Sequence, residues 1–169
     1  MDSIHNDQDL RKALHSIYAA QFDTLKKFPN VFTRADATRM LTGLMGSRPW
    51  SWRVIGITSD ALDIFSKNDF KRPAGQIQRG HRDDRASTAR ALFFERDIPM
   101  PLDEFFEFFL QRDQTVLMTK SENKHRPGGE FPAFIAIDAQ LALFPCGTLV
   151  GWQHRKAEVD FLRALHAKR

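Results

Sequence analysis

"TVLMTKSENKHR", residues 115–126, decides how the chain is read. Thr115 to Thr119 carry β-branched and long apolar side chains and predict a short strand. From Lys120 onward the stretch is polar and charged and predicts a turn. Upstream, "IQRGHRDDR", residues 77–85, packs one histidine, three arginines, two aspartates and one glycine into nine positions. Ile77 to His81 predicts a second short strand, and the charged tail leaves it. The fold and the function both turn on whether these two stretches form one site or two solvated surfaces.

Working outward, residues 7–28 predict an amphipathic helix, with Leu10, Leu14, Ile17, Tyr18 and Phe22 at helical spacing. Pro29 and Asn30 end it. Thr33 suits the N-cap of a second helix, with Asp36 in capping-box position; that helix runs to about Leu44, before Gly46 and Pro49. "WSWRVIGIT", residues 50–58, predicts a strand, and Ser59 an N-cap for a helix with Ala61, Leu62, Ile64 and Phe65 on one face. Residues 66–75 read as a polar loop. "RASTARALFFERD" and "PLDEFFEFFLQR" predict two helices, the second with Pro101 in its first turn and its "FFEFF" toward a core. "HRPGG", residues 125–129, leaves regular structure. "FPAFIAID", residues 131–138, predicts a strand, and residues 153–168 a helix with Val159, Leu162 and Leu165 inward.

Helices and short strands mix here without strand–helix–strand alternation, and no internal repeat stands out. The fold class is therefore α+β: a small sheet or ββα-like core flanked by several helices, with a helical N-terminus. The expected division is a helical N-terminal segment at residues 1–48 and an α+β segment at residues 49–169, or the two are one continuous domain.

Composition narrows the function. Of 169 residues 42% are apolar and 27% charged, as in ordinary globular chains. One cysteine, Cys146, excludes an intrachain disulfide and a thiolate zinc cluster. The polar start "MDSIHNDQDLRKAL" has no signal-peptide core, and no apolar run reaches the ~20 residues of a membrane helix. The expectation is a cytoplasmic protein with no membrane partner. No glycine-rich nucleotide-binding motif occurs. The net charge of +4 permits nucleic-acid binding. Positive charge gathers at Lys71, Arg72, Arg79, Arg82, Arg85 and Arg90, and again at Lys120, Lys124 and Arg126.

Hydrolysis of a phosphodiester needs a base to activate water, a cation to neutralise developing charge, and donors to hold the phosphates. His81, with an ordinary histidine pKa of about 6.5, suits the base. Asn123 offers a neutral oxygen to a hard cation such as Mg²⁺. Arg79, Arg82, Arg85, Lys120 and Lys124 suit phosphate contacts.

"QRGH", residues 78–81, resembles the D-R-G-H motif of the non-specific DNA/RNA nucleases, with Gln78 in place of the aspartate. "TVLMTKSENK" is similar to the strand-then-helix end of HNH motifs. Together they resemble the ββα-metal nuclease superfamily. The resemblance implies His81 as general base with Arg79 beside it at the catalytic centre, and Asn123 as ligand to one Mg²⁺ or Mn²⁺. A carboxylate ligand would come from Asp83, Asp84 or Glu122, with Asp84 the first choice. Gly80 stands where HNH motifs have aspartate or histidine, and a two-helix insertion separates His81 from Asn123. The implied substrate is nucleic acid, DNA ahead of RNA, with Arg82, Arg85, Lys120 and Lys124 binding it. The N-terminal helices could serve specificity or a homodimer. Two alternatives stand beside this: a non-enzymatic nucleic-acid-binding protein, and a protein-interaction or immunity-type module using the acidic helix at residues 103–112.

Overall fold

The structure, a computed structural model, describes Ile4 and residues 6–46, 48, 50–71, 73, 75–125, 130–138, 141, 143–145 and 155–169. In chain order the elements are α1 (Gln8–Lys27), α2 (Arg34–Leu41), a π-helical turn (Thr42–Gly46), β1 (Arg53–Thr58), α3 (Ser59–Lys67), β2 (Ile77–His81), α4 (Arg85–Phe93), α5 (Leu102–Arg112), β3 (Gln114–Thr119), α6 (Lys120–Lys124), β4 (Phe134–Ala136) and α7 (Lys156–Ala167). The class is α+β, as expected: helices together with a small four-stranded mixed sheet.

The chain divides into two units. A helical unit holds Met1–Ser51 and Asp83–Asp113; a sheet unit holds Trp52–Arg82 and Gln114–Arg169. The expected division at residue 48 lies close to the first crossing, but α4 and α5 join the N-terminal helices. The reason is their apolar face. Phe105, Phe106 and Phe109 of α5 and Leu92 and Phe93 of α4 are buried in one cluster with Leu14, Tyr18, Phe22 and Leu25 of α1.

In the helical unit the end signals of the sequence act as written. Asp7 caps α1, accepting the Leu10 N–H at 2.9 Å. Thr33 and Asp36 close a reciprocal capping box on α2. Tyr18 is fully buried, and its hydroxyl is used twice: it donates to the Leu92 carbonyl and accepts the Met100 N–H, each at 3.1 Å. Its ring stacks on Phe105 with centroids 4.3 Å apart. These two hydrogen bonds offset the cost of taking the hydroxyl out of water. Burial also raises the Tyr18 pKa, although the Met100 N–H opposes this.

In the sheet unit the strand order is β2-β3-β1-β4. β1 and β3 run parallel; β2 joins β3 and β4 joins β1 antiparallel. Parallel neighbours end at the same edge of a sheet, and here both end in threonine. Thr58 caps α3, one residue before the expected Ser59, and Thr119 caps α6. The polar turn expected after Thr119 is thus a short helix, because Glu122 completes a capping box with Thr119. Gly56 is required in β1: a Cβ there would stand 2.1 Å from the Phe134 ring that crosses it. The strand expected over residues 131–138 is limited to Phe134–Ala136.

Helix α7 turns Leu162 fully inward and packs Leu165 on the same cluster, while Val159 is half-buried. It also buries a charge that the sequence did not flag. Glu158 accepts the Phe144 N–H at 3.0 Å and pairs with Arg155. Burial alone would raise its pKa, but Arg155 and the Phe144 N–H outweigh burial and hold it below the ordinary 4.5. A depressed carboxylate contributes stability that is complete above its unfolded pKa and is lost as pH falls through the folded value. The thermal stability of the wild type should therefore decline as pH falls below 4.5, and Glu158→Gln should remove part of that dependence while lowering stability at neutral pH.

Candidate functional site

β2 and β3 pair along their whole length, from Ile77 opposite Thr119 to His81 opposite Thr115. α6 follows β3 without a gap. β2, β3 and the short α6 follow in that chain order, with α4 and α5 between β2 and β3. Alternate residues of a strand face opposite sides of the sheet, so Gln78 and Gly80 share one face and Arg79 and His81 the other.

Asn123 lies on the Gln78 and Gly80 side. Its amide donates to the Gln78 side-chain oxygen at 2.9 Å. Its own oxygen would be 2.9 Å from a Cβ on Gly80, where Met118 also presses to 2.6 Å. Glycine is what allows α6 to fold back onto β2. The adjacent Glu122 is half-buried, and its carboxylate accepts the Thr119 N–H at 2.8 Å and the Thr58 hydroxyl at 2.9 Å. Glu122 therefore ties the ends of the two parallel strands together.

His81 lies on the opposite face. Its ring meets the Trp52 indole edge-on, with centroids 4.2 Å apart. Trp52 has a left-handed backbone, φ 62°, which a bulky side chain rarely adopts. Its carbonyl is held by Arg79 at 2.9 Å and by the Thr115 hydroxyl at 3.0 Å. Arg79 also donates to the Pro145 carbonyl at 3.0 Å and is only 7% exposed. The guanidinium satisfies carbonyls of irregular chain rather than a phosphate.

The pair His81 and Asn123 is not brought together: the sheet stands between them. The other expected residues scatter by role. Asp84 caps α4, accepting the Ser87 N–H at 2.6 Å, and Asp83 pairs with Arg112 at 2.9 Å. Arg85 is turned inward in the helical unit. It pairs with Asp113 at 2.8 Å, and Ser51 donates to the same carboxylate at 2.9 Å. Arg82 is exposed, and among the described residues its guanidinium reaches the Gln114 side chain, at 3.4 Å. Lys120 and Lys124 are exposed on α6, and neither is ion-paired among the described residues. His125 is exposed, with Nδ1 2.9 Å from the Ser121 carbonyl. The acidic helix α5 commits Asp103 to Arg11 and Glu104 to Arg96. Arg72, Arg126, Pro127 to Gly129, Cys146, Trp152, His5 and His154 lie outside the described residues.

As a metal shell the expected ligands do not fit. Asn123 is turned onto β2, Asp84 is spent as a cap, and among the described residues no group of three or more His, Cys, Asp or Glu could hold an ion. What the sequence missed is the interior use of arginine. A signal was present in Asp113, an acid just beyond an apolar helix face, which needs a cation if it is buried.

The roles of Arg85 can be separated by stability. Removing it leaves the Asp113 carboxylate, 3% exposed, without its charge partner. Arg85→Ala should lower the unfolding free energy by about 3–5 kcal/mol in urea titration, whereas Arg82→Ala should change it by less than about 0.5 kcal/mol. Equal and small losses would mean that Arg85 is free to serve as a phosphate ligand.

Compared with known proteins, the chain matches no family model, no curated protein sequence and no solved structure.

Proposed function

We propose that this chain is a non-enzymatic nucleic-acid-binding protein that contacts the phosphate backbone, with His81 in no chemical role. The observation that carries the reading is the pair Lys120 and Lys124. They are four residues apart on α6, so they share one helical face, and both are exposed without an ion pair among the described residues. Unpaired surface ammonium groups are what a polyanion displaces counterions to reach. Arg79 and Arg85, by contrast, are committed within their own units.

A second reading, metal-dependent phosphodiester hydrolysis with Mg²⁺ or Mn²⁺, is favoured by one observation: the β2–β3–α6 order with Asn123 beside Gly80. It is the weaker reading because His81 faces the other side of the sheet. DNA and RNA stand equal as ligands in the first reading, and DNA leads in the second.

Fluorescence anisotropy with labelled DNA and RNA, across a salt series, tests the first reading. Binding should weaken steeply with salt. Lys120→Ala with Lys124→Ala should cut affinity about tenfold and reduce the salt slope by about 2, since each lysine neutralises about one phosphate. His81→Ala should bind like the wild type. In parallel, plasmid and total RNA incubated with Mg²⁺, Mn²⁺ or EDTA should stay intact. Cleavage that needs the metal and disappears in His81→Ala would replace this reading with the nuclease. No binding even at low salt would end both.

A further inference from the structure

Two stretches of the helical unit share a pattern, with four of nine residues identical: "TRADATRML", residues 33–41, and "DRASTARAL", residues 84–92. Each opens on an N-cap residue, Thr33 or Asp84. Arg-Ala follows, and a second arginine stands four residues after that alanine, Arg39 after Ala35 and Arg90 after Ala86. The matched pairs Ala37 with Thr88 and Leu41 with Leu92 are all buried. Residues four apart share a helical face, so α2 and α4 each present a small residue with an arginine one turn beyond it. The first arginines are used differently: Arg34 is exposed, while its counterpart Arg85 is held by Asp113.

α2 and α4 together line an open groove of about 670 Å³. Ala35 and Ala86 contribute its small side chains, and Arg34, Arg39 and Arg90 its charge. The acid in the lining, Asp84, is engaged at the start of α4 by the Ser87 N–H at 2.6 Å. The arginines are available. Arg34 has no ion pair among the described residues. Arg39 pairs with Asp36 at 2.9 Å while its own side chain is 76% exposed. Arg90 pairs with Glu95 at 2.7 Å with both side chains about half exposed. Exposed pairs of this kind are weak and screened, so a phosphate can take either arginine from its partner.

We infer that this groove is a second nucleic-acid contact, one that holds the sugar–phosphate backbone of a strand against α2 and α4. The inference rests on the reading of the chain as a nucleic-acid binder and adds a site that the α6 lysines do not supply. An open groove with three separate guanidinium groups suits a series of phosphates better than one enclosed anion. Arg34 and Arg39 are five residues apart, about 7.5 Å along α2. The two guanidinium groups can therefore meet different phosphates of one strand. Ala35 and Ala86 leave room for the backbone to approach, and planar guanidinium groups can grip its phosphates bidentately.

The test uses the full chain and labelled DNA and RNA oligonucleotides over a salt series. Arg34→Gln, Arg39→Gln and Arg90→Gln are combined in one variant. Lys12→Gln, Lys26→Gln and Lys27→Gln, which remove the same charge from α1, form the control. The groove variant should bind about tenfold more weakly than the control and lower the salt slope by about 2 to 3. Arg34→Gln alone, at an exposed position, should lower the slope by about 1 and so provides the test if the triple variant unfolds. A groove variant that binds like the control overturns the inference. If that happens while the Lys120 and Lys124 variant still loses affinity, the proposed function stands and only the groove falls. If the wild type binds no oligonucleotide, both fall together. Polyglutamate bound as tightly as nucleic acid, with the same loss in the groove variant, would assign the groove to an acidic protein segment and overturn it as a backbone site.

Discussion

A buried carboxylate organises the helical unit. Asp113 is 3% exposed and closes the second segment of that unit; Ser51 closes the first, and Arg85 opens α4. A charge removed from water must be paired and hydrogen-bonded, or it costs several kcal/mol. Arg85 and Ser51 meet that demand on the two carboxylate oxygens. The guanidinium also lies over the Phe109 ring, 5.3 Å from its centroid, and Gly46 keeps the space beside it open: a Cβ there would stand 3.3 Å from Arg85 Nη1. Segments distant in sequence are therefore fixed to one another by a single ion, and the hydrophobic cluster of α1, α4 and α5 fills in around it.

The sheet unit answers a similar demand with Arg79. Trp52 carries its left-handed backbone just before β1, and its carbonyl cannot join a regular ladder. Arg79 and Thr115 supply the donors. At the other edge of the sheet, Glu122 bridges Thr58 and Thr119, so that two helices start where two parallel strands stop. In each place a polar side chain compensates for backbone that has left its regular partner.

These roles explain what the sequence disclosed. Periodic and terminal signals are local, and they were legible: the α1 stripe through Tyr18 and Phe22, the Thr33 and Asp36 box, Ile77–His81 as a strand, and "FFEFF" as a core face. Long-range assignments were not. Nothing local to "QRGH" says that α6 returns to the Gln78 face, so His81 and Asn123 could be paired on paper although the sheet keeps them apart. Arg79 and Arg85 read as phosphate contacts because their partners, backbone carbonyls or an acid far along the chain, leave no mark near them. The likeness of "TRADATRML" to "DRASTARAL" was present in the letters, but at nine residues it is too short to stand out until both helices are seen to line one groove.

The distinction between charge in the sequence and charge at the surface carries the functional argument. A buried ion pair such as Arg85 with Asp113 is nearly neutral when viewed from solvent. Exposed charges, in contrast, act over the Debye length of about 8 Å at physiological salt. Of the basic residues between Lys71 and Arg90, Arg79 and Arg85 are committed inside, Lys71 pairs with Asp69, and Arg90 pairs with Glu95. Arg82 is left as an exposed cation there without an ion pair among the described residues. The stretch that looks most basic as text therefore keeps Arg79 and Arg85 inside and holds Lys71 and Arg90 in exposed, weak pairs. Exposed cations without an ion pair among the described residues include Lys120 and Lys124 on α6 and Arg34 on α2, short helices whose first turns are satisfied by caps. Residues placed in this way can be exchanged without loss of fold, which is the property that lets binding and stability be measured apart.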